Sequence, residues 1–474
     1  MRFGQLDASQ EAVDEPDLLL EGFYDYRQAA YGIATGQIWL LLGPKGAGKS
    51  AVLEHLRLSW QPRYDRFFDY WDLRSFPVND VTQIQTGQSP GAARAQAAWE
   101  LLLLLRVLDS FASDQALKAP AVFYAVKGDL VRTGLLAGDW RTKVVEWSKA
   151  TVKFNLQVAE IGVEFSNTPV GALQVTAILK KLLEGVSTDS RHLIALDGLD
   201  SFFFEAEDEW VSLAGLLHAI ASVNRFLAEC GHTATVVAAV RSDIFEVAPS
   251  AESNKMISHS VHLDWSALGI GTGNHLWQLM TAKAAVSRPG LSDLTRTYMG
   301  TPIEIGPHTT IPEYFLDNTR LLPRDMVALM GYTQQVHPGS GPISQGEARA
   351  IITRYCAEYF QGEILDNLAG ILPTGSARKL PIFRDALRTV PWRQFTFDDV
   401  QRELEGELDA SETKALLRQM FEVGGIGVRT PTGSVEYTDF TFRKVSGAGF
   451  TAQYGFLLHD ALTTAWNRPW SARR

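Results

Sequence analysis

Eight residues, Gly43 to Ser50, have the types and spacing of a loop that binds phosphate groups. They read G-P-K-G-A-G-K-S and fit the pattern G-x-x-x-x-G-K-[ST] at every fixed position. Glycines let backbone N–H groups turn toward phosphate oxygens, the lysine can reach the β- and γ-phosphates, and the serine hydroxyl can bind Mg²⁺. The pattern therefore predicts a site for ATP and Mg²⁺, with nucleotide contacts from Gly43, Pro44, Lys45, Gly46, Ala47, Gly48, Lys49, Ser50 and Ala51.

An acidic motif follows a short apolar run later in the chain. The run His192–Leu196 ends in Asp197-Gly198-Leu199-Asp200. An acid at the C-terminal end of a strand beside the phosphate loop can hold Mg²⁺ opposite Ser50, which makes Asp197 the predicted metal ligand. Asp200 is the candidate that orients or polarises an attacking water, and its alternative role is to cap a following helix.

Arg241 could contact the γ-phosphate of a bound nucleotide. It follows the apolar run Thr235–Val240, so a strand there would bring it to the same sheet edge as the acidic motif. Such an arginine can sense or stabilise phosphate charge. The alternative is a local ion pair with Asp243.

Arg324 is the second arginine that could report the γ-phosphate. It lies in the motif L-P-R-D, in which Pro323 is suited to open a helix. A cation in a first helical turn opposes the helix dipole and therefore needs an anion nearby. That anion could be the bound phosphate, or a carboxylate such as Asp325 or Asp317. Arg320 is a weaker alternative to Arg324.

Strands and helices must bring these residues to one edge of a sheet. The apolar run Gln37–Leu42 predicts a strand before the loop, and helical spacing of apolar residues predicts a helix from Ala51 to Trp60. Further strands are predicted over residues 67–73, 192–196, 235–240 and 257–263. Strands alternating with helices indicate an α/β fold with a mainly parallel sheet covered on both faces, which binds ligands at the C-terminal strand ends.

The chain is long enough for several domains, since it has 474 residues. We predict an N-terminal cap over residues 1–35, a nucleotide-binding core over 36–265 with a helical insertion at about 92–188, a helical lid over 266–372, and a winged-helix-like domain over 376–474. The stretch Pro373–Ser376 is the predicted linker to the last domain.

Residues 376–474 carry the pattern of helix, turn, helix and two-stranded ribbon that is typical of a winged helix. Helices are predicted from Phe397 and from Ser411, and a last one from Leu457 to Trp466. Cations that could contact DNA phosphates are Lys414, Arg418, Arg429, Arg443 and Lys444. Acidic residues surround them, so a domain that packs on the core or on a partner protein is an equally good interpretation.

Bulk composition excludes several classes of protein. Hydrophobic residues make up 46% of the chain and charged residues 21%, which excludes intrinsic disorder. The net charge of -10 argues against wholesale attraction to nucleic acid or to an anionic membrane. The two cysteines, Cys230 and Cys356, show no metal-binding spacing, and the longest apolar run, Leu101–Leu105, is too short to span a bilayer. We therefore expect a cytoplasmic protein without membrane contact.

The motifs together resemble those of bacterial P-loop ATPases of the AAA+ and STAND kinds, which are allied to origin-recognition ATPases. The matching pieces are G-P-K-G-A-G-K-S at Gly43, H-L-I-A-L-D-G-L-D ending at Asp200, V-R-S-D-I-F at Val240, L-P-R-D at Leu322, and F-E-V-G-G-I-G with L-L-H-D in the C-terminal region. This resemblance covers most of the chain. It implies an ATPase core, a helical lid and a C-terminal winged helix.

The same resemblance implies a nucleotide-gated switch or an assembly ATPase, and some proteins of this kind act in antiviral defence. The D-G-L-D run is closer to the STAND pattern than to the D-E pattern of motor AAA+ proteins, which implies slow hydrolysis. A homo-oligomer or a partner protein is expected. The alternatives are a DNA-binding regulator that acts through the winged helix, and a scaffold that holds ATP without hydrolysing it.

Overall fold

A computed structural model describes residues 1–74, 76–84, 86, 91–132, 134–136, 140–149, 172–199, 207–247, 256–369, 378–432, 435–443 and 449–468. The chain divides into two compact units. The sheet unit comprises Asp25–Lys45 and Lys49–Leu263. The C-terminal unit comprises Met1–Tyr24, Gly46–Gly48 and Asp264–Arg474.

The elements are as follows. The strands are β1 (Leu40–Gly43), β2 (Arg66–Asp72), β3 (Arg191–Asp197), β4 (Ala234–Arg241), β5 (Ser260–His262), β6 (Pro302–Ile305), β7 (His308–Thr310), β8 (Gln394–Phe395), β9 (Ile426–Thr432), β10 (Val435–Asp439) and β11 (Phe456–Leu458). The helices up to residue 263 are α1 (Ala8–Asp14), α2 (Pro16–Glu21), α3 (Ala29–Ala34), α4 (Lys49–Trp60), α5 (Val78–Gln83), α6 (Ala92–Ala112), α7 (Ala121–Arg132), α8 (Trp140–Lys149), α9 (Ala172–Glu184), α10 (Glu207–Glu229) and α11 (Ser242–Val247). Those that follow are α12 (His275–Ser287), α13 (Leu294–Tyr298), α14 (Ile311–Asp317), α15 (Pro323–Val336), α16 (Gln345–Tyr355), α17 (Gln361–Ala369), α18 (Lys379–Thr389), α19 (Phe397–Glu403), α20 (Ala410–Glu422) and α21 (Asp460–Ala465).

The sheet unit is built on a five-stranded sheet with the order β2-β3-β4-β1-β5. Every pair of neighbouring strands in it is parallel. Strand β4 lies between β1, which leads into the glycine-rich loop, and β3, which ends in Asp197. The predicted fold class is therefore confirmed, and all five predicted strands are present.

Strands β1, β3 and β4 consist almost entirely of consecutive buried residues. Side chains alternate between the two faces of a strand, so consecutive burial means that both faces of the sheet are covered. Helices α6 and α10 pack against each other, and the Trp99 indole donates to Ser212 Oγ at 3.1 Å. The run Leu101–Leu105, at most 1% exposed, lies in this core.

Among the helices that the structure describes, one segment, Asp208–Glu229 in α10, is long and apolar enough to cross a bilayer. Two-thirds of its most apolar window (67%) is buried inside the protein. Packing of α10 on α6 and on β4 accounts for its apolar composition.

The middle of the C-terminal unit is helical, with one exception. Helix α15 begins at Pro323, as predicted, and α16 continues through a π-helical stretch (Cys356–Phe360) into α17. The exception is the antiparallel pair β6 and β7 within the predicted helical lid. The pair Gly306-Pro307 makes the turn between the two strands, and Gly306 has φ +57°. Glycine and proline together favour a turn over a continuous helix.

The last described part of the chain has the element order α18, β8, α19, α20, β9, β10, β11 and α21. Its four strands form an antiparallel sheet with the order β10-β9-β11-β8. Helices α19 and α20, followed by the β9–β10 hairpin, have the predicted order of helix, turn, helix and two-stranded ribbon, and the winged-helix assignment stays a prediction. The last predicted helix is shorter than expected, because residues 456–458 pair with β8 and β9 as a strand. The whole predicted linker, Pro373–Ser376, lies outside the described residues.

Candidate functional site

The glycine-rich loop connects β1, which ends at Gly43, with α4, which begins at Lys49. Gly46 has φ +87° and Gly48 has φ +93°. Side chains other than hydrogen are strained at these angles, so the glycines of the sequence pattern are required by the backbone itself. Strand, loop and helix have the arrangement that the sequence predicts.

Two carbonyl groups of the loop are held by residues of the C-terminal unit. The backbone N–H of Arg324 donates to Gly46 O at 3.3 Å, and the indole N–H of Trp265 donates to Ala47 O at 3.0 Å. No described peptide bond is cis, and the C=O and N–H of a trans peptide point in opposite directions. The N–H groups of Ala47 and Gly48 therefore point away from these two anchors.

Lys49 is buried at the first position of α4. Its Nζ donates to Gly43 O at 2.9 Å and to Pro44 O at 3.0 Å. The ammonium group thus lies against the start of the loop that it follows in sequence. Ser50 and Ala51 are half-buried in the first turn of the same helix.

Asp197 is the last residue of β3 and is 7% exposed. Its Oδ1 accepts a hydrogen bond from Gly198 N at 2.8 Å, and its Oδ2 accepts one from the Tyr70 hydroxyl at 2.7 Å. Within the described ranges, no lysine, arginine or histidine forms an ion pair with this carboxylate. A buried carboxylate without a cation, with a serine hydroxyl on α4, is the hard-oxygen donor set that suits Mg²⁺. Asp197 and Ser50 therefore fit the predicted metal.

Tyr70 was not found by the sequence reasoning. It lies on β2, where it pairs with Ala195, two residues before Asp197 on β3. Burial, reinforced by the nearby charges of Asp197 and Glu54, raises the pKa of the Tyr70 hydroxyl above its usual range. In the sequence, Tyr70 is marked only by its position two residues before Asp72, on the same face of the strand. That spacing does not indicate a contact with Asp197 until the register of β2 against β3 is known.

The residue after Asp197 is Gly198, and the structure gives a physical reason for glycine at this position. It has φ +84°, and a Cβ atom there would lie 2.6 Å from Arg74 Cγ, 2.8 Å from Asp72 Oδ1 and 2.9 Å from Arg74 N. A glutamate side chain does not fit this backbone or this space. Asp200, the predicted water-orienting residue, lies outside the described residues, so its role stays a prediction.

Arg241 is the last residue of β4 and pairs in register with Gly43 of β1. The sheet thus brings Arg241 to the same edge as the start of the loop. Its guanidinium binds both carboxylate oxygens of Asp243, at 3.0 Å and 2.6 Å. This is the local pair that the sequence offered as an alternative. A contact of Arg241 with phosphate stays a prediction.

Arg324 lies in the first turn of α15, and its anionic partner is a residue that the sequence did not single out. Its side chain forms an ion pair with Glu363 of α17 at 3.5 Å and donates from Nε to Leu6 O at 3.2 Å. The carboxylates proposed from the sequence have other partners. Asp325 is bound by buried Arg320 at 2.6 Å, and Asp317 by Arg443 at 2.6 Å and His308 at 3.0 Å.

The cations proposed to contact DNA fall into two groups. Lys414 and Arg418 lie exposed on α20. Arg429 pairs with Glu436 at 2.5 Å, and Arg443 pairs with Asp317. Lys444 lies outside the part of the chain that the structure describes. Two of the predicted ribbon cations thus already neutralise carboxylates of this chain.

Comparisons with known proteins give one kind of match. No family model matches the chain, and no curated protein matches it. Among solved structures, the chain is similar to the crystal structure of Cdc6p from Pyrobaculum aerophilum, with 13% sequence identity, 90% of this chain and 93% of that chain covered, and a TM-score of 0.33. A likeness at that level adds no argument to the strand order and loop described above.

Proposed function

We propose that this protein binds ATP with Mg²⁺ and hydrolyses it slowly, and that the nucleotide state switches its conformation or its assembly. The proposal rests on the two hydrogen bonds that hold carbonyl groups of the glycine-rich loop. Because Gly46 O and Ala47 O are held on one side, the N–H groups of Ala47 and Gly48 are directed to the other side, where phosphate oxygens can accept from them.

The roles of the remaining residues follow from their charge and position. Lys49 neutralises phosphate charge from the start of α4, whose N-terminus adds partial positive charge. Ser50 and Asp197 would hold Mg²⁺, which supplies charge neutralisation between the phosphates. Arg241 and Arg324 are proposed to report the γ-phosphate after exchanging Asp243 and Glu363 for it.

Slow turnover is proposed because the usual glutamate is excluded at Gly198. A carboxylate that orients the attacking water lowers the barrier in P-loop enzymes, and this chain has no room for one directly after Asp197. Asp200 is the proposed substitute.

The test compares the wild type with Lys49→Ala and Asp200→Asn in calorimetry and in a turnover assay. We expect Lys49→Ala to lose Mg²⁺–ATP binding, because the buried ammonium is the charge that faces the loop. We expect Asp200→Asn to bind ATP and to hydrolyse it about 10²–10⁴-fold more slowly, the range typical for general acid–base groups. Lys118→Ala, at an exposed lysine of the same unit, is the control. Turnover that Lys49→Ala leaves unchanged would reject the mechanism.

A homo-oligomer or a partner protein is the proposed target of the switch, and DNA is the proposed alternative. The exposed cations Lys414 and Arg418 on α20 are what favours DNA. A double variant, Lys414→Ala with Arg418→Ala, should then reduce DNA affinity and the steepness of its salt dependence. DNA affinity that is equal in both proteins would remove this alternative. Purified protein that carries intact ATP and shows no turnover would instead indicate a scaffold.

A further inference from the structure

We infer that Tyr70 is a positioning residue that holds the metal-binding carboxylate of Asp197, an inference that rests on the proposed function. The two side chains come from neighbouring parallel strands, 127 residues apart in sequence. Their oxygen atoms, Tyr70 Oη and Asp197 Oδ2, are 2.7 Å apart. A carboxylate accepts and cannot donate, so the phenol hydroxyl is the donor.

Two hydrogen bonds restrict rotation of the Asp197 carboxylate about its Cβ–Cγ bond. Gly198 N–H donates to Oδ1 at 2.8 Å and Tyr70 donates to Oδ2. Rotation about the Cβ–Cγ bond would break both contacts. Each carboxylate oxygen nevertheless keeps lone-pair capacity for a metal ion or for a water bound to it. The two donors therefore orient the Asp197 carboxylate and leave it able to bind a metal ion.

Tyr70 is itself held in place. It lies in the middle of β2 in register with Ala195, and its ring lies beside that of Phe68, with ring centres 6.4 Å apart and planes 18° apart. A hydroxyl fixed by strand register and ring packing loses little entropy when it binds Asp197. In metal proteins, residues that orient a ligand in this way typically contribute 10–100-fold to metal affinity.

The experiment is ATP binding by calorimetry over a series of Mg²⁺ concentrations and in EDTA, for wild type and Tyr70→Phe. The variant keeps the ring and loses only the hydroxyl. We expect the Mg²⁺ concentration for half-maximal enhancement of ATP affinity to rise about 10–100-fold, with the affinity in EDTA unchanged. Tyr64→Phe, at a tyrosine that is 95% exposed, is the matched control and should behave as wild type.

A second comparison separates positioning from packing. In an Asp197→Asn background, Tyr70→Phe should cause no further shift in Mg²⁺ dependence, because the carboxylate that it orients is gone. An unchanged Mg²⁺ dependence in Tyr70→Phe alone would overturn the inference, as would an equal loss of affinity with and without Mg²⁺. Wild-type protein that binds no Mg²⁺–ATP at all would instead reject the proposed function.

Discussion

Gly198 has a backbone conformation and a space that suit only glycine. Its φ of +84° lies in the left-handed region, and a Cβ would meet both the backbone and the side chain of Arg74. The peptide N–H of this residue also donates to Asp197 Oδ1. One residue therefore shapes the turn after β3, donates to the predicted metal ligand, and leaves no room for a longer side chain at this position.

Replacing this residue should destabilise the protein. Gly198→Ala is expected to cost about 1–3 kcal/mol, because alanine is strained at this φ and its Cβ clashes with a backbone nitrogen 2.9 Å away. The measurement is the free energy of unfolding in urea, or the melting temperature. The matched control is Gly128→Ala in the exposed part of α7, where nothing lies within 4 Å of an added Cβ. That control should stabilise the helix by about 0.5–1 kcal/mol. Equal stability of the two variants would contradict this account of Gly198.

Strand β3 carries a buried titratable group at each end. Asp197 ends it, and His192, which is 2% exposed, lies near its beginning. Burial lowers the pKa of the His192 imidazole to about 4, although Asp114, whose Oδ2 lies 3.6 Å from Nε2, favours the charged form. The ring stacks on Phe67 and its Nδ1 bonds Ser110 Oγ at 2.8 Å. The strand thus holds a neutral histidine in the core.

A neutral buried histidine makes stability depend on pH in a defined direction. Between an unfolded pKa near 6.5 and a folded pKa near 4, the unfolded chain binds more protons, so stability rises with pH and is lost as pH falls through this window. His192→Phe should flatten the slope of melting temperature against pH between pH 6.5 and pH 4.5. His459, whose pKa burial lowers to about 3, should leave a residual slope. An unaltered slope in the variant would show that His192 does not titrate in this way.

The whole molecule consists of two units whose boundary falls within the glycine-rich loop. Lys45 and Lys49 group with the sheet unit, and Gly46–Gly48 between them group with the C-terminal unit. The residues that hold these loop carbonyls, Trp265 and Arg324, belong to the C-terminal unit as well. The loop segment Gly46–Gly48 and the two residues that hold its carbonyl groups therefore belong to the same compact unit.

Nucleotide should change the hydrodynamic behaviour of the protein. We expect the size-exclusion mass measured with ATP to differ from the masses with ADP and without nucleotide, because only the triphosphate would draw Arg241 and Arg324 from Asp243 and Glu363. Lys49→Ala should show one mass in all three conditions. Identical masses for the wild type, with calorimetry showing that ATP is bound, would identify a static binder.

The sequence by itself determined the glycine-rich loop, the sheet strands and the acid at the end of β3. These features are local, because a strand needs only a short apolar run and the loop needs only glycines, a lysine and a serine at fixed spacing. Helix α15 belongs to the same group, since Pro323 sets its first turn. Among the described residues of the range 266–372, which end at 369, the helical expectation was wrong where Gly306-Pro307 turns a hairpin.

Only the tertiary structure decided which distant residues contact the glycine-rich loop and Asp197. Trp265 reaches Ala47 across 218 residues of sequence, and Tyr70 reaches Asp197 across 127. The partner of Arg324 is Glu363, which the sequence did not single out. Such contacts depend on strand register and on the packing of helices, in which a shift of one residue moves a side chain to the opposite face. The spacing of residues along the chain does not determine that register. The residues that contact the site can therefore be identified only in the folded structure.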